Sequence, residues 1–217
     1  MATKIKIHIL INNAGIFNPH FELTHKDGLE SNLAINHIAP FLFTTSLIPA
    51  LQVGARIVNV SSCLQVAVAT PIHNDSINDP NATTGIFERY NNSKLANVLF
   101  TQRLQKVLGP SYYVNCLHPG TTFTNLTRGL PKLSVLGTII KMAMPIFAAS
   151  IETCSSTQLY LSTSPDVVEK KYYSQYFHYV AQHRPDLLSP MATGRDDERL
   201  EKELWDFTER VIKDLTS

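Results

Sequence analysis

The stretch YNNSKLANVLFTQRLQKVLGPSYYVNCLHPG, Tyr90 to Gly120, decides the fold class. Its first half places Leu95, Val98, Leu99, Leu104 and Leu108 at helical spacing, and Gly109-Pro110 stops the helix. The apolar run Tyr112 to Leu117 then reads as a strand, ending at His118-Pro119-Gly120. A helix delivered straight into a short apolar strand is half of a βαβ unit, and such units build parallel sheets.

The same rhythm extends outward in both directions. Ile5 to Ile11 alternates isoleucines with Lys6 and His8, as a strand does, and ends at Asn12-Asn13-Ala14-Gly15. Thr24 and Asp27 are the expected caps of a long apolar helix through Leu29, Leu33, Phe41 and Leu47, with Pro40 expected to kink it. Ala55 to Val60 is a second strand, ending at Ser61-Ser62, and a polar, turn-rich excursion follows from Cys63 to Glu88. Thr121 to Pro165 reads as two helices and Lys170 to Tyr176 as a last strand. Leu200, Leu204, Phe207, Val211 and Leu215 mark an amphipathic helix whose charged face is expected in solvent. The class is α/β: a parallel sheet built from βαβ units in one domain spanning residues 1–217.

Composition narrows the function. The 217 residues are 44% hydrophobic and 17% charged, and 19 Lys+Arg against 18 Asp+Glu leave a net charge of +1. That balance makes no field strong enough to draw nucleic acid or an anionic membrane. Cys63, Cys116 and Cys154 lie in apolar surroundings without metal-ligand spacing, so they read as reduced thiols, no metal is expected, and the setting is cytoplasmic or a cytosol-facing membrane periphery. Leu133 to Ala149 is apolar but broken by Lys141 and Pro145 and is shorter than the ~20 residues of a bilayer span, so no transmembrane segment is expected.

Chemistry gathers where the strands end. Tyr90 and Lys94 are four apart at the start of a helix, hence on one face and within reach of each other. A phenol titrates near ~10, and an adjacent ammonium favours the phenolate, so the pair is expected to exchange a proton near neutrality. Two common residues at helical spacing carry little by themselves. Ser61-Ser62, Asn13-Ala14-Gly15 and Pro119-Gly120, however, all fall at carboxyl ends of strands, the edge where open α/β sheets bind ligands.

Taken in order, Asn12-Asn13-Ala14-Gly15, Asn36, Ser61-Ser62, Tyr90-Asn91-Asn92-Ser93-Lys94 and His118-Pro119-Gly120 resemble the short-chain dehydrogenase/reductase family over nearly the whole chain. Tyr90 to Asn97, Thr124-Asn125-Leu126 after the Pro-Gly turn, and Leu204-Trp205 look most like the branch that holds retinol dehydrogenases and WW-domain oxidoreductases. The resemblance implies an NAD- or NADP-dependent oxidoreductase interconverting a carbonyl and an alcohol on a small substrate, lipophilic or retinoid-like in that branch. It implies Tyr90 as general acid/base and Lys94 as the group that lowers its pKa and bonds the nicotinamide ribose. Ser62 would hold the substrate oxygen, and Asn36 would anchor a water continuing the proton relay. Asn13, which would also pin the central strands, borders the cofactor with Ala14, Gly15, Tyr90, Lys94, Pro119, Gly120 and Thr122.

The family's opening glycine-rich turn, T-G-x-x-x-G-x-G, does not occur, because no two of the nine glycines stand closer than positions 129 and 137. What the resemblance implies is therefore an amino-terminally truncated domain, a partial, doubly wound, Rossmann-type parallel sheet lacking the first βαβαβ half, with the Ile5 to Ile11 strand as an apolar edge open to association. A homodimer is expected by resemblance. The alternative function is a shortened isoform or gene-prediction fragment, catalytically impaired, that acts as a partner-binding module.

Overall fold

A computed structural model describes residues 5–68, 78–81, 87–120, 150–178 and 198–217. Among these, four strands form one parallel sheet, β1 (Ile7–Asn12), β2 (Leu51–Val60), β3 (Tyr113–His118) and β4 (Tyr176–His178), adjacent in chain order. Leu10 lies opposite Ile57, Ile57 opposite Val114, and Cys116 opposite Tyr176. Because all four run the same way, Asn12, Val60 and His118 bring their following loops to a single edge.

Both faces of the sheet are covered. On one, Leu10, Ile57 and Val114 pack under Phe41, Phe100 and Leu104 from the helices α2 (Ala39–Leu47) and α3 (Glu88–Leu108). On the other, Val58, Val60, Leu117 and Phe177 pack against Leu161 of α4 (Ile151–Thr163) and Val167 of α5 (Asp166–Glu169). Neighbouring strand residues thus feed opposite cores, which is the doubly wound pattern expected from the sequence. Helix α3 ends as read, since Gly109 takes φ 73° to cap it and Pro110 cannot continue it.

Several elements begin elsewhere than the sequence suggests. The first helical stretch opens with α1 (Ser31–Leu33), capped by Glu30, whose carboxylate accepts the N–H groups of Asn32 and Leu33. Thr24 instead closes a turn, its hydroxyl accepting the Leu29 N–H. A π-turn over Ala34–Ile38 joins α1 to α2, with the Ala39 N–H bonded to the Ala34 carbonyl. Pro40 offers no N–H to the Asn36 carbonyl four residues earlier and its ring crowds that oxygen, and the wider turn relieves both. The run Ser31–Ala50 has the length and apolarity of a membrane span, yet Leu33, Ile38 and Phe41 are buried in the core.

Lys170 to Tyr176 is not a strand until its last residue. Lys171 and Ser174 adopt φ of 51° and 55°, and the Asn115 side chain staples the bend by donating to the Tyr172 carbonyl and accepting the Gln175 N–H. Residues 121–149, where one of two helices was expected, lie outside the described residues, as does most of the polar excursion beyond the 3₁₀ turn Cys63–Ala67. The closing helix, α6 (Glu198–Thr216), packs Leu204 and Phe207 against Leu33, Ile38, Leu95 and Leu99. Its charges are not all solvated: Glu201 is 1% exposed and bonds Lys106 of α3 at 2.8 Å.

Candidate active site

Strand β2 ends at Val60 and hands the chain to Ser61 and Ser62, both buried. Ser61 extends the sheet by one bond, its N–H reaching the Leu117 carbonyl at 2.7 Å, and its hydroxyl donates to the Lys94 carbonyl at 2.7 Å. Ser61 therefore joins strand to helix. Ser62 caps the 3₁₀ turn, its hydroxyl accepting the Leu64 N–H at 3.3 Å, and it lies near enough to Tyr90 to act against the rise of the phenol's pKa.

Tyr90 and Lys94 occupy the first turns of α3 and both are buried. Lys94 Nζ lies 5.7 Å from the Tyr90 ring centroid and donates to the Val60 carbonyl at 3.2 Å. Burial lowers its pKa to about 8. Burial also pushes the Tyr90 phenol above its ordinary value, opposed by Ser62. Lost hydration sets the direction of the phenol here, with the Lys94 ammonium over the ring rather than beside the oxygen.

Asn36 is fully buried and its amide is committed to protein groups. Oδ1 accepts the Ile16 N–H at 2.7 Å, and Nδ2 donates to the Ile16 carbonyl and to Ser93 Oγ, each at 2.9 Å. Ser93 Oγ in turn donates to the Tyr90 carbonyl. Through its side chain Asn36 welds the loop after β1 to the helix that carries Tyr90 and Lys94. Gly15 sits in the same corner, where a Cβ would stand 3.1 Å from Asn36 Oδ1 and 3.2 Å from Lys94 Nζ.

Asn13 and Ala14 are exposed at the end of β1, and Asn13 Oδ1 accepts from Gln158 of α4. The strand-pinning role expected of Asn13 belongs to Asn12. Asn12 Nδ2 donates to Asn59 Oδ1 at 2.7 Å and to Thr44 Oγ1 at 2.9 Å, and Asn59 Nδ2 continues to Thr101 Oγ1. The reason is parity, since successive strand residues point to opposite faces. Pro119 and Gly120, half-buried, turn the chain away from β3 with Gly120 at φ 93°; Thr122 lies outside the described residues.

Gln65 and Tyr176 were not singled out from the sequence. Both are buried beside the site, and the Gln65 amide lowers the Tyr176 phenol while burial, the larger effect, raises it. No spacing signal marks them, because they come from a 3₁₀ turn and a strand far apart in the chain.

A nicotinamide cofactor fits the donor set at one end. The glycine's bare Cα leaves a cradle against Lys94, whose three ammonium protons exceed its single bond to Val60 among the described residues. The described residues contain no group of three or more side chains able to hold a metal ion.

A family model described as short chain dehydrogenase matches residues 2–71. Short-chain dehydrogenase TIC 32 A, chloroplastic, of Brassica napus is 34% identical over 229 residues, covering 99% of this chain and 67% of its own length. The chain belongs to the short-chain dehydrogenase/reductase family. An uncharacterized oxidoreductase of Schizosaccharomyces pombe is 35% identical over 225 residues, 99% of this chain and 64% of the relative. Human retinol dehydrogenase 14 is 34% identical over 95% of this chain and 59% of its own. The chain therefore spans about two thirds or less of the length of these relatives.

Solved structures share the fold. An uncharacterized protein from Mycobacterium paratuberculosis superposes with a TM-score of 0.62 at 24% identity, covering 98% of this chain and 69% of its own. A short chain dehydrogenase from Burkholderia cenocepacia, solved in complex with NADP, gives 0.56 at 23% identity over 82% of this chain and 66% of its own.

Proposed function

We propose that this short-chain dehydrogenase/reductase domain interconverts a ketone or aldehyde and an alcohol, with Tyr90 as the proton-transferring group. The observation that carries the reading is the convergence of buried Ser62, Tyr90 and Lys94, with the Lys94 ammonium over the Tyr90 ring and Ser62 near enough to act on the phenol. A carbonyl oxygen accepting from Ser62 and Tyr90 is polarised, and Tyr90 delivers the proton as the oxygen gains charge. Ser62 keeps the oxygen in line during that transfer. In the oxidative direction Tyr90 accepts the alcohol proton.

The bound cofactor, NAD or NADP, supplies or accepts the hydride. Gly15, Lys94, Pro119 and Gly120 would hold its nicotinamide end, with Asn13, Ala14 and Thr122 along the border. Asn36 acts in this reading by fixing Ile16 and Ser93, and any water it anchors would use its backbone carbonyl, since its amide is already bonded. A lipophilic substrate of retinoid character is proposed because three human relatives carry the name retinol dehydrogenase, numbers 12, 13 and 14.

The test is Tyr90→Phe, which removes one oxygen from a buried position. With NADH or NADPH and an aromatic or aliphatic aldehyde, turnover should fall by roughly 10²–10⁴-fold, with the unfolding temperature retained. Activity equal to the parent chain would refute the assignment.

A further inference from the structure

The segment leaving β1 runs back along the first helical stretch, and two asparagines one turn apart take hold of it. Ile16 donates its N–H to Asn36 Oδ1 and accepts from Asn36 Nδ2. Asn18 repeats the pattern, donating its N–H to Asn32 Oδ1 at 2.8 Å and accepting from Asn32 Nδ2 at 2.9 Å. Each amide imitates a backbone peptide group, so residues 16–18 are paired as if against a neighbouring strand. Asn32 is itself fixed, since its N–H and Nδ2 both donate to the buried Glu30 carboxylate, at 3.0 and 2.8 Å.

What lies between and before these clamps faces the proposed proton-transfer pair. Phe17, bracketed by Ile16 and Asn18, meets the Tyr90 ring edge-on at 5.3 Å and stacks on Phe87 at 5.2 Å. Gly15 lies against Lys94 Nζ. Residues 15–18 therefore form a strap across one side of both groups.

We propose that Asn32 is a positioning residue which, together with Asn36, clamps the 15–18 strap so that it holds water away from Lys94 and Tyr90. The proposal rests on the reading that this pair moves the proton, but its test needs no turnover. Lys94 is faced by the Tyr90 ring from α3, the Val60 carbonyl from β2, the Asn36 amide from the π-turn and Gly15 from the strap, with the Cys63 thiol near Tyr90. Burial raises both the phenol and the thiol, so neither is an anion near neutrality and neither competes with water exclusion in setting the amine.

The experiment is a titration of the Lys94 side chain in the full ¹³C,¹⁵N-labelled chain by NMR, its resonance assigned by disappearance in Lys94→Met. The wild-type midpoint is expected near 8, where burial places it. Asn32→Ala should raise it by about one unit or more, a tenfold change in proton affinity. Phe17→Ala, which opens the strap without touching a hydrogen bond, should raise it as well, and Phe17→Leu should not. If Asn32→Ala does not fold, the two Phe17 variants decide the matter. A wild-type midpoint near 10.5, or a midpoint unmoved in folded Asn32→Ala or Phe17→Ala, overturns the strap. Full turnover in Tyr90→Phe would overturn the proposed function instead, leaving the Lys94 titration valid.

Discussion

Acid should destabilise this protein through the buried imidazole of His37. His37 is fully buried between Phe41 and Phe100, with Nε2 3.0 Å from Thr208 Oγ1 of α6. Burial lowers its pKa from 6.5 to about 4, partly offset by a hydrogen bond involving Asn97. The folded value lies below the unfolded one, so the unfolded chain binds the proton first, and the stability this group contributes is complete above 6.5 and lost as pH falls toward 4. At about pH 5 the unfolded imidazole is mostly protonated and the folded one is not, which removes about 2 kcal/mol. For a domain of this size that lowers the melting temperature by roughly 4–8 °C. The assay is thermal unfolding of wild type and His37→Gln at about pH 7.5 and about pH 5. The variant should start less stable but lose less on acidification by that amount. Equal losses in the two proteins would refute the reasoning.

Two further substitutions probe neighbouring contacts. Gly15→Ala places a methyl 3.1 Å from Asn36 Oδ1 and 3.2 Å from Lys94 Nζ; it should cost about 1–3 kcal/mol in chemical denaturation and shift the Lys94 titration, with an unchanged denaturation midpoint as the contrary result. Lys106→Ala leaves the buried Glu201 carboxylate without its 2.8 Å partner, and should destabilise by more than Glu201→Met, which removes the buried charge and fills its space. Equal losses in urea would show that the pair contributes only packing.

How much of this was legible in the sequence depended on whether a signal is local. Helix α3 and strands β2 and β3 are nearly as read, because apolar periodicity and the Gly109-Pro110 stop act within a few residues. The start of the first helical stretch was misplaced because Thr24 and Asp27 resemble caps, whereas Glu30 caps by a longer reach that propensity does not favour. Asn12 and Asn13 are adjacent and alike, and only the parity fixed by strand pairing separates the one that binds Asn59 from the one in solvent. Glu201 reads as one more charge on a solvated face until α6 is docked, which turns it onto the face of Leu204 and Thr208.

The site followed the same division. Tyr90, Lys94 and Ser62 converge as their motifs suggest, since each hangs on a strand end or helix start that the sequence marks. Their titration did not follow, because it is set by burial, which depends on how elements remote in the chain pack around the pair. Asn32 repeats what Asn36 does one turn earlier, and nothing in its surroundings distinguishes it from a solvent-facing asparagine until the segment after β1 is laid beside it.

The π-turn over Ala34–Ile38 acts as a phase shifter. An α-helix advances about 100° per residue, so one surplus residue in a turn rotates everything downstream relative to everything upstream. Ahead of it Asn32 addresses the strap; after it Phe41 enters the core and Thr44 receives Asn12. Deleting a single residue from that turn would keep every side chain's chemistry and still aim the two halves of the helix at the wrong neighbours. The turn's length must be kept as strictly as the identities of Asn36 and His37 within it.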